Sequence, residues 1–132
     1  MTRFVLLFVA LLAPAVLEAQ GPIRDVWPST PLLENATTVS SGTRQRPATR
    51  NRTFQAYGET SAGAGAATIV IEVSNVEEPG ANDWITAGTI NLTLATTRTT
   101  DGFTMQAAWR NVRARVSAIS GTNATVTVRM GN

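Results

Sequence analysis

Nine carboxylates, one tyrosine and many hydroxyls are the groups in this 132-residue chain with the potential for acid–base or nucleophilic chemistry. Cysteine and histidine are absent, and all eleven basic residues are arginine. Disulfides and thiolate or imidazole metal sites are therefore excluded, and no lysine or histidine can act as a general base. Glu77 and Glu78 are neighbours beside Pro79-Gly80. Two carboxylates on one short turn cannot straddle a glycosidic bond as a hydrolase pair must, so they read as a solvated turn. Asp83 and Asp101 read as turn residues. Gly58, Gly63 and Gly65 resemble a phosphate loop only superficially, because the lysine and the following helix are missing. No calcium-loop spacing occurs. No catalytic residue, cofactor or metal ligand is assigned, and the chain reads as a non-enzyme.

The remaining chemistry is recognition. Arg44, Arg46, Arg50 and Arg52 lie in a stretch without an acid, and Arg110, Arg113, Arg115 and Arg129 lie near the C-terminus. Each group reads either as a solvated face or as a contact surface for an acidic partner. A net charge of only +2 argues against nucleic acid, since the high isoelectric point largely reflects the lack of lysine and histidine. Trp84 and Trp109, and with them Tyr57 and Phe103, are candidates for stacking on sugar rings, with core packing as the competing use. The sequons at Asn35, Asn51, Asn91 and Asn123 matter only in a eukaryotic secretory pathway.

These groups must be positioned by strands. Threonine, valine and isoleucine suit a half-buried pleated surface, and the chain is long enough for one domain. Residues 1–20, MTRFVLLFVALLAPAVLEAQ, have the layout of a signal peptide or hydrophobic anchor, with cleavage expected after Ala19 or Ala15. An N-terminal helix or arm packed on a partner is the other reading of this segment. Residues 21–52 gather prolines and read as an extended arm or linker. Residues 53–132 form the expected domain: strands at 53–57, 67–75, 84–87 and 89–95 broken by a bulge or tight bend at Gly88, 103–107 and a terminal pair, with a Gly/Ala-rich loop over 58–66 and a turn over 96–102. Ala67, Ile69, Ile71 and Val73 share one face against Thr68, Val70, Glu72 and Ser74 on the other, with Val70 weakening the polar side, and Ile90, Leu92 and Leu94 form a second apolar face. The fold class expected is an all-β antiparallel sandwich or jelly-roll-like barrel of six to seven strands with an extended N-terminal arm.

In "AWRNVRARVSAISGTNATVTVRMG" two alternating runs flank Ser120-Gly121-Thr122. Read as a hairpin, keeping Val112, Ala114, Val116 and Ala118 on the same side as Val126, Val128 and Met130 demands an odd loop. The three-residue solution sets Ile119 opposite Asn123, Arg113 opposite Arg129 and Arg115 opposite Thr127.

The blocks TFQAYGETSAGAGAATIVIEVSN, DWITAGTINLTLATTRTTDGF and AAWRNVRARVSAISGTNATVTVRMG, spanning Phe54 to Gly131, resemble a domain of small structural proteins in tailed bacteriophages. Trp109, Val112-Arg113-Ala114 and Ser120-Gly121-Thr122 carry most of that resemblance. It implies a virion component associated with head decoration, neck, tail or fibre, without enzyme activity. Its partners would be other virion proteins or copies of itself, as a homo-oligomer. The membrane enters only through residues 1–20 if they are uncleaved. The alternative is an exported bacterial carbohydrate- or surface-binding module, secreted or periplasmic after signal cleavage. Intact-mass measurement of the mature protein is expected to find a chain beginning at Gln20; Met1 retained in the functional protein overturns the leader reading.

Overall fold

The computed structural model describes residues 29–47 and 50–131, so the leader-like segment 1–20 and residues 21–28 of the expected arm lie outside the described residues. Among the described residues eight strands follow one another: β1 (Ser29–Ala36), β2 (Ser40–Ser41), β3 (Asn51–Glu59), β4 (Ala62–Ser74), β5 (Ile85–Leu94), β6 (Thr99–Gln106), β7 (Asn111–Thr122) and β8 (Thr125–Gly131). They make two antiparallel four-stranded sheets, ordered β1-β8-β3-β6 (sheet A) and β2-β7-β4-β5 (sheet B). The chain pairs as though folded in half at the β4–β5 hairpin, joining β4 to β5, β3 to β6, β2 to β7 and β1 to β8. The doubled ribbon is then rolled until β8 also meets β3 and β7 also meets β4. That is jelly-roll connectivity, the more specific of the two architectures expected.

Alternation explains the faces. Ile69, Ile71 and Val73 of β4, Ile90, Leu92 and Leu94 of β5, and Val112, Ala114 and Val116 of β7 point inward from sheet B and are almost fully buried. Phe54 and Ala56 of β3 and Val126, Val128 and Met130 of β8 meet them from sheet A. Phe103 of β6 packs against Phe54 with ring centroids 5.2 Å apart. The bulge expected at Gly88 is present as one extra residue, Ala87, between the pairs Ile71–Gly88 and Glu72–Thr86. Beside it the Phe103 ring occupies the space where a side chain on Gly88 would lie.

Four expectations are corrected. The terminal pair is not a hairpin: β7 belongs to sheet B and β8 to sheet A, and the chain crosses the sandwich at Asn123-Ala124. Asn123 takes a left-handed conformation there, with φ 48°. Two strands that face each other across a core show the same alternation as two strands side by side, so parity alone could not distinguish them. Secondly, Ala118 does not share the buried face, because a bulge at Ser117 turns it outward and brings Ile119 against the core. Thirdly, the loop expected over 58–66 is mostly strand. β3 and β4 are separated only by Thr60-Ser61, and glycine and alanine pair through their backbones without giving a side-chain signal. The turn expected over 96–102 is likewise shorter, because β6 already begins at Thr99.

The fourth correction concerns the arm. Within residues 21–52, β1 and β2 are strands of the sandwich, and Leu32 is buried in the core. Around Pro31 its lack of periodicity reflects an irregular edge: β1 has two register shifts, and Asn35 lies at φ 48°. Gly42 joins the two sheets at this edge. Its N–H donates to the Ala114 carbonyl at 2.8 Å, and the next N–H, of Thr43, donates to the Leu32 carbonyl at 3.0 Å. A Cβ on Gly42 would overlap the Leu32 carbonyl. Because that obstacle is backbone, Gly42→Ala is expected to destabilise the protein by about 2 kcal/mol or more, read as a lower urea midpoint at unchanged slope.

Candidate functional site

The outer face of sheet B is built from the side chains that alternate with its core residues. On β4 these include Val70 and Glu72; the register sets Arg115 and Thr89 beside Val70, and Arg113 and Thr86 beside Glu72. Glu72 is only 7% exposed. Arg113 Nε donates to its Oε2 at 2.7 Å, and Arg115 Nε donates to its Oε1 at 2.9 Å. The two arginines are i and i+2 on β7, so the strand period aims both at one carboxylate. Trp84, just before β5, lies against Arg113, with the guanidinium carbon 4.1 Å from the ring centroid.

Burial by itself pushes the Glu72 carboxyl up, but the hydrogen bonds from Arg115 and Arg113, together with the attraction of their two charges, outweigh it and hold the group below the ordinary carboxylate value. A carboxylate so held stays ionised near neutral pH and is unsuited to donate a proton there.

A second ionic group adjoins the first at the tip between β4 and β5. Glu78 accepts from Arg44 Nη1 at 2.5 Å and from Arg46 Nη2 at 2.6 Å, while Glu77 Oε1 accepts from Arg110 Nη2 at 2.6 Å. The Glu77 carbonyl also accepts from Arg44 and Arg46. The hydrogen bond from Arg44 is the largest influence in lowering the Glu78 pKa, with Arg46 and Arg110 adding to it. Glu77 and Glu78 lie in an exposed turn, as expected, and there collect three arginines from two distant segments. The group is exposed, so it orders side chains more than it stabilises the fold.

The arginines singled out from the sequence thus separate. Arg44, Arg46, Arg110, Arg113 and Arg115 converge around one end and face of sheet B, paired with three glutamates. Arg129 is elsewhere, on the outer face of sheet A, donating to Ser29 Oγ at 3.1 Å and lying 3.5 Å from Glu34. It therefore does not oppose Arg113, and Arg115 does not face Thr127; the expected like-charge pair does not exist. Arg52 is buried, donates to the Trp109 carbonyl at 3.4 Å and is no surface contact. Arg50 is exposed. Trp109 packs against the core. Of the two tryptophans nominated for stacking, only Trp84 therefore lies among the converging arginines.

Glu72 is the member that sequence reasoning missed. In the sequence it is one more residue on the polar side of a strand, and its pairing depends on a β4–β7 contact 41 residues apart. The available signal was Val70 beside it: an apolar residue on a nominally wet face marks a face that something covers. Compared with family models, curated proteins and solved structures, the chain matches none of them.

Because the folded-state pKa of Glu72 lies below its unfolded value, its contribution to stability is present above about pH 4.3 and is lost as pH falls through the folded value. Glu72→Gln is expected to cost about 2–3 kcal/mol at pH 7 and to reduce the acid-side loss of stability. Glu78 titrates in the same sense, so part of that loss remains. Urea titrations between pH 3 and pH 7 are the check; an unchanged acid limb in the variant would contradict the assignment.

Proposed function

We propose that this chain is a non-enzymatic protein that works through protein–protein contacts made by the outer face of sheet B, as a structural or accessory component of a tailed-phage particle. The observation that carries the contact reading is the Glu72–Arg113–Arg115–Trp84 array with the adjoining Arg44, Arg46 and Arg110 pairs. Arginine and tryptophan are enriched where interfaces concentrate their binding energy. Here they are held in place before binding, which lowers the entropy lost on association. Five arginines against three glutamates, and Asp83 beside Trp84 in the same β4–β5 tip, leave a formal charge of +1, suited to a partner surface with a small acidic excess.

Assignment to a virion rests on the sequence resemblance over Phe54 to Gly131. The jelly roll is compatible with it, since viral capsid proteins use this architecture, as do lectins. Glu72 and Glu78, both held ionised, add nothing toward acid–base catalysis near neutral pH.

Electron microscopy and mass spectrometry of particles produced with and without this protein test the proposal. Loss of a defined density and its peptides is expected when it is omitted, and unchanged particles refute it. Trp84→Ala is expected to lower incorporation about tenfold or more while the melting temperature stays within a few degrees.

A further inference from the structure

The outer face of sheet A carries different chemistry. β3 presents Thr53, Gln55 and Tyr57 there; β6 contributes Thr100 and Thr104 beside them, and β8 contributes Thr125, Thr127 and Arg129. Short hydroxyl side chains dominate, and one half-buried aromatic stands among them. Tyr57 lies on the strand between β8 and β6, so its backbone is fixed on both sides. Arg98, from the β5–β6 connection, covers one side of the ring, with its guanidinium carbon 4.7 Å from the centroid.

Two depressions share this Tyr57–Arg98 pair. One is an open groove of about 400 Å³ bounded also by Gln55 and Thr100. The other, about 30 Å³, is bounded by Asn35, Glu59 and Thr127 among others.

The polar groups around the ring are already oriented. Gln55 Nε2 donates to Thr100 Oγ1 at 3.2 Å, and Thr100 in turn donates to the Ala56 carbonyl at 3.1 Å. That leaves the Gln55 carbonyl oxygen as an acceptor and its second amide hydrogen as a donor. On the other side Thr127 Oγ1 accepts from the Asn35 backbone N–H at 3.1 Å. Arg98 and Glu59 are 3.9 Å apart, so the local charge is balanced while both planar groups remain open to hydroxyls.

We propose that this groove binds a neutral oligosaccharide, with a pyranose ring stacked on the side of Tyr57 that Arg98 leaves open and its hydroxyls held by Gln55 and Thr100. An aromatic plane flanked by planar amide, guanidinium and carboxylate groups matches a sugar, which presents an apolar C–H face and paired hydroxyls that both donate and accept. The balanced charge selects neutral sugars over acidic ones. The site lies on the opposite sheet from the protein-contact face and does not depend on the virion assignment.

The test uses the full chain, labelled with nitrogen-15 and titrated with soluble oligosaccharides of glucose, mannose, galactose and N-acetylglucosamine. At least one is expected to shift the amides of Gln55, Tyr57 and Thr100 at millimolar concentration while leaving sheet B unmoved. Tyr57→Ala is expected to weaken that binding about tenfold or more, Tyr57→Phe to keep it within about threefold, and Thr93→Ala on β5 to leave it unchanged. No shift with any of the four at about 10 mM, tighter binding of an oligosaccharide of galacturonic acid titrated alongside them, or binding unaffected by Tyr57→Ala each overturns the proposal.

Discussion

Burial of β7 against β8 across the core, rather than beside it, is the constraint on which the rest of the architecture depends. Val112, Ala114 and Val116 face inward from one sheet, while Val126, Val128 and Met130 do so from the other. With β7 committed to sheet B, it takes the place between β4 and β2; with β8 in sheet A, it lies between β3 and β1. The four central strands are then set, and the edges follow from the folded-back pairing. Only the β4–β5 connection stays within one sheet, so nearly every turn must carry the chain across the sandwich. The left-handed Asn123 and the close approach at Gly42 are local consequences of those crossings.

The same rolling distributes charge. Arginine is the sole cation type in the chain, and its fork can satisfy a carboxylate without losing its proton. Sheet B gathers its arginines onto Glu72, Glu77 and Glu78, which turns clustered like charge into an ordered array with a small positive excess. Sheet A keeps threonine, glutamine and one tyrosine on its outer surface, with Arg98 and Arg129 each close to a glutamate. One jelly roll therefore presents two faces of different character, one ionic and aromatic, the other hydroxyl-rich.

Much of the fold was legible before the structure because side-chain alternation reports burial directly. Ile69, Ile71 and Val73, then Ile90, Leu92 and Leu94, announced their inward faces, and the Gly88 bulge followed from a break in one such run. Weak alternation hid the rest. Ala62–Ala66 has too little side chain to signal a strand, and 29–41 loses its period to register shifts, so one resembles a loop and the other an arm. The site was less legible still. Its arginines were visible as a group, but their acids lay in a turn 31 to 34 residues away and on a strand 41 to 43 residues away.

The order of residues by itself determined that this chain makes β-strands, which side of most strands is buried, and that cysteine, histidine and lysine chemistry is absent. Those properties depend on residue type and on a period of two along one strand. Which strand lies beside which was decided only in three dimensions, because alternation is identical for a neighbour in the sheet and for a partner across the core. The pairing of Glu72 with Arg113 and Arg115, the separation of Arg113 from Arg129 onto opposite faces, and the isolation of Tyr57 among hydroxyls all follow from that choice.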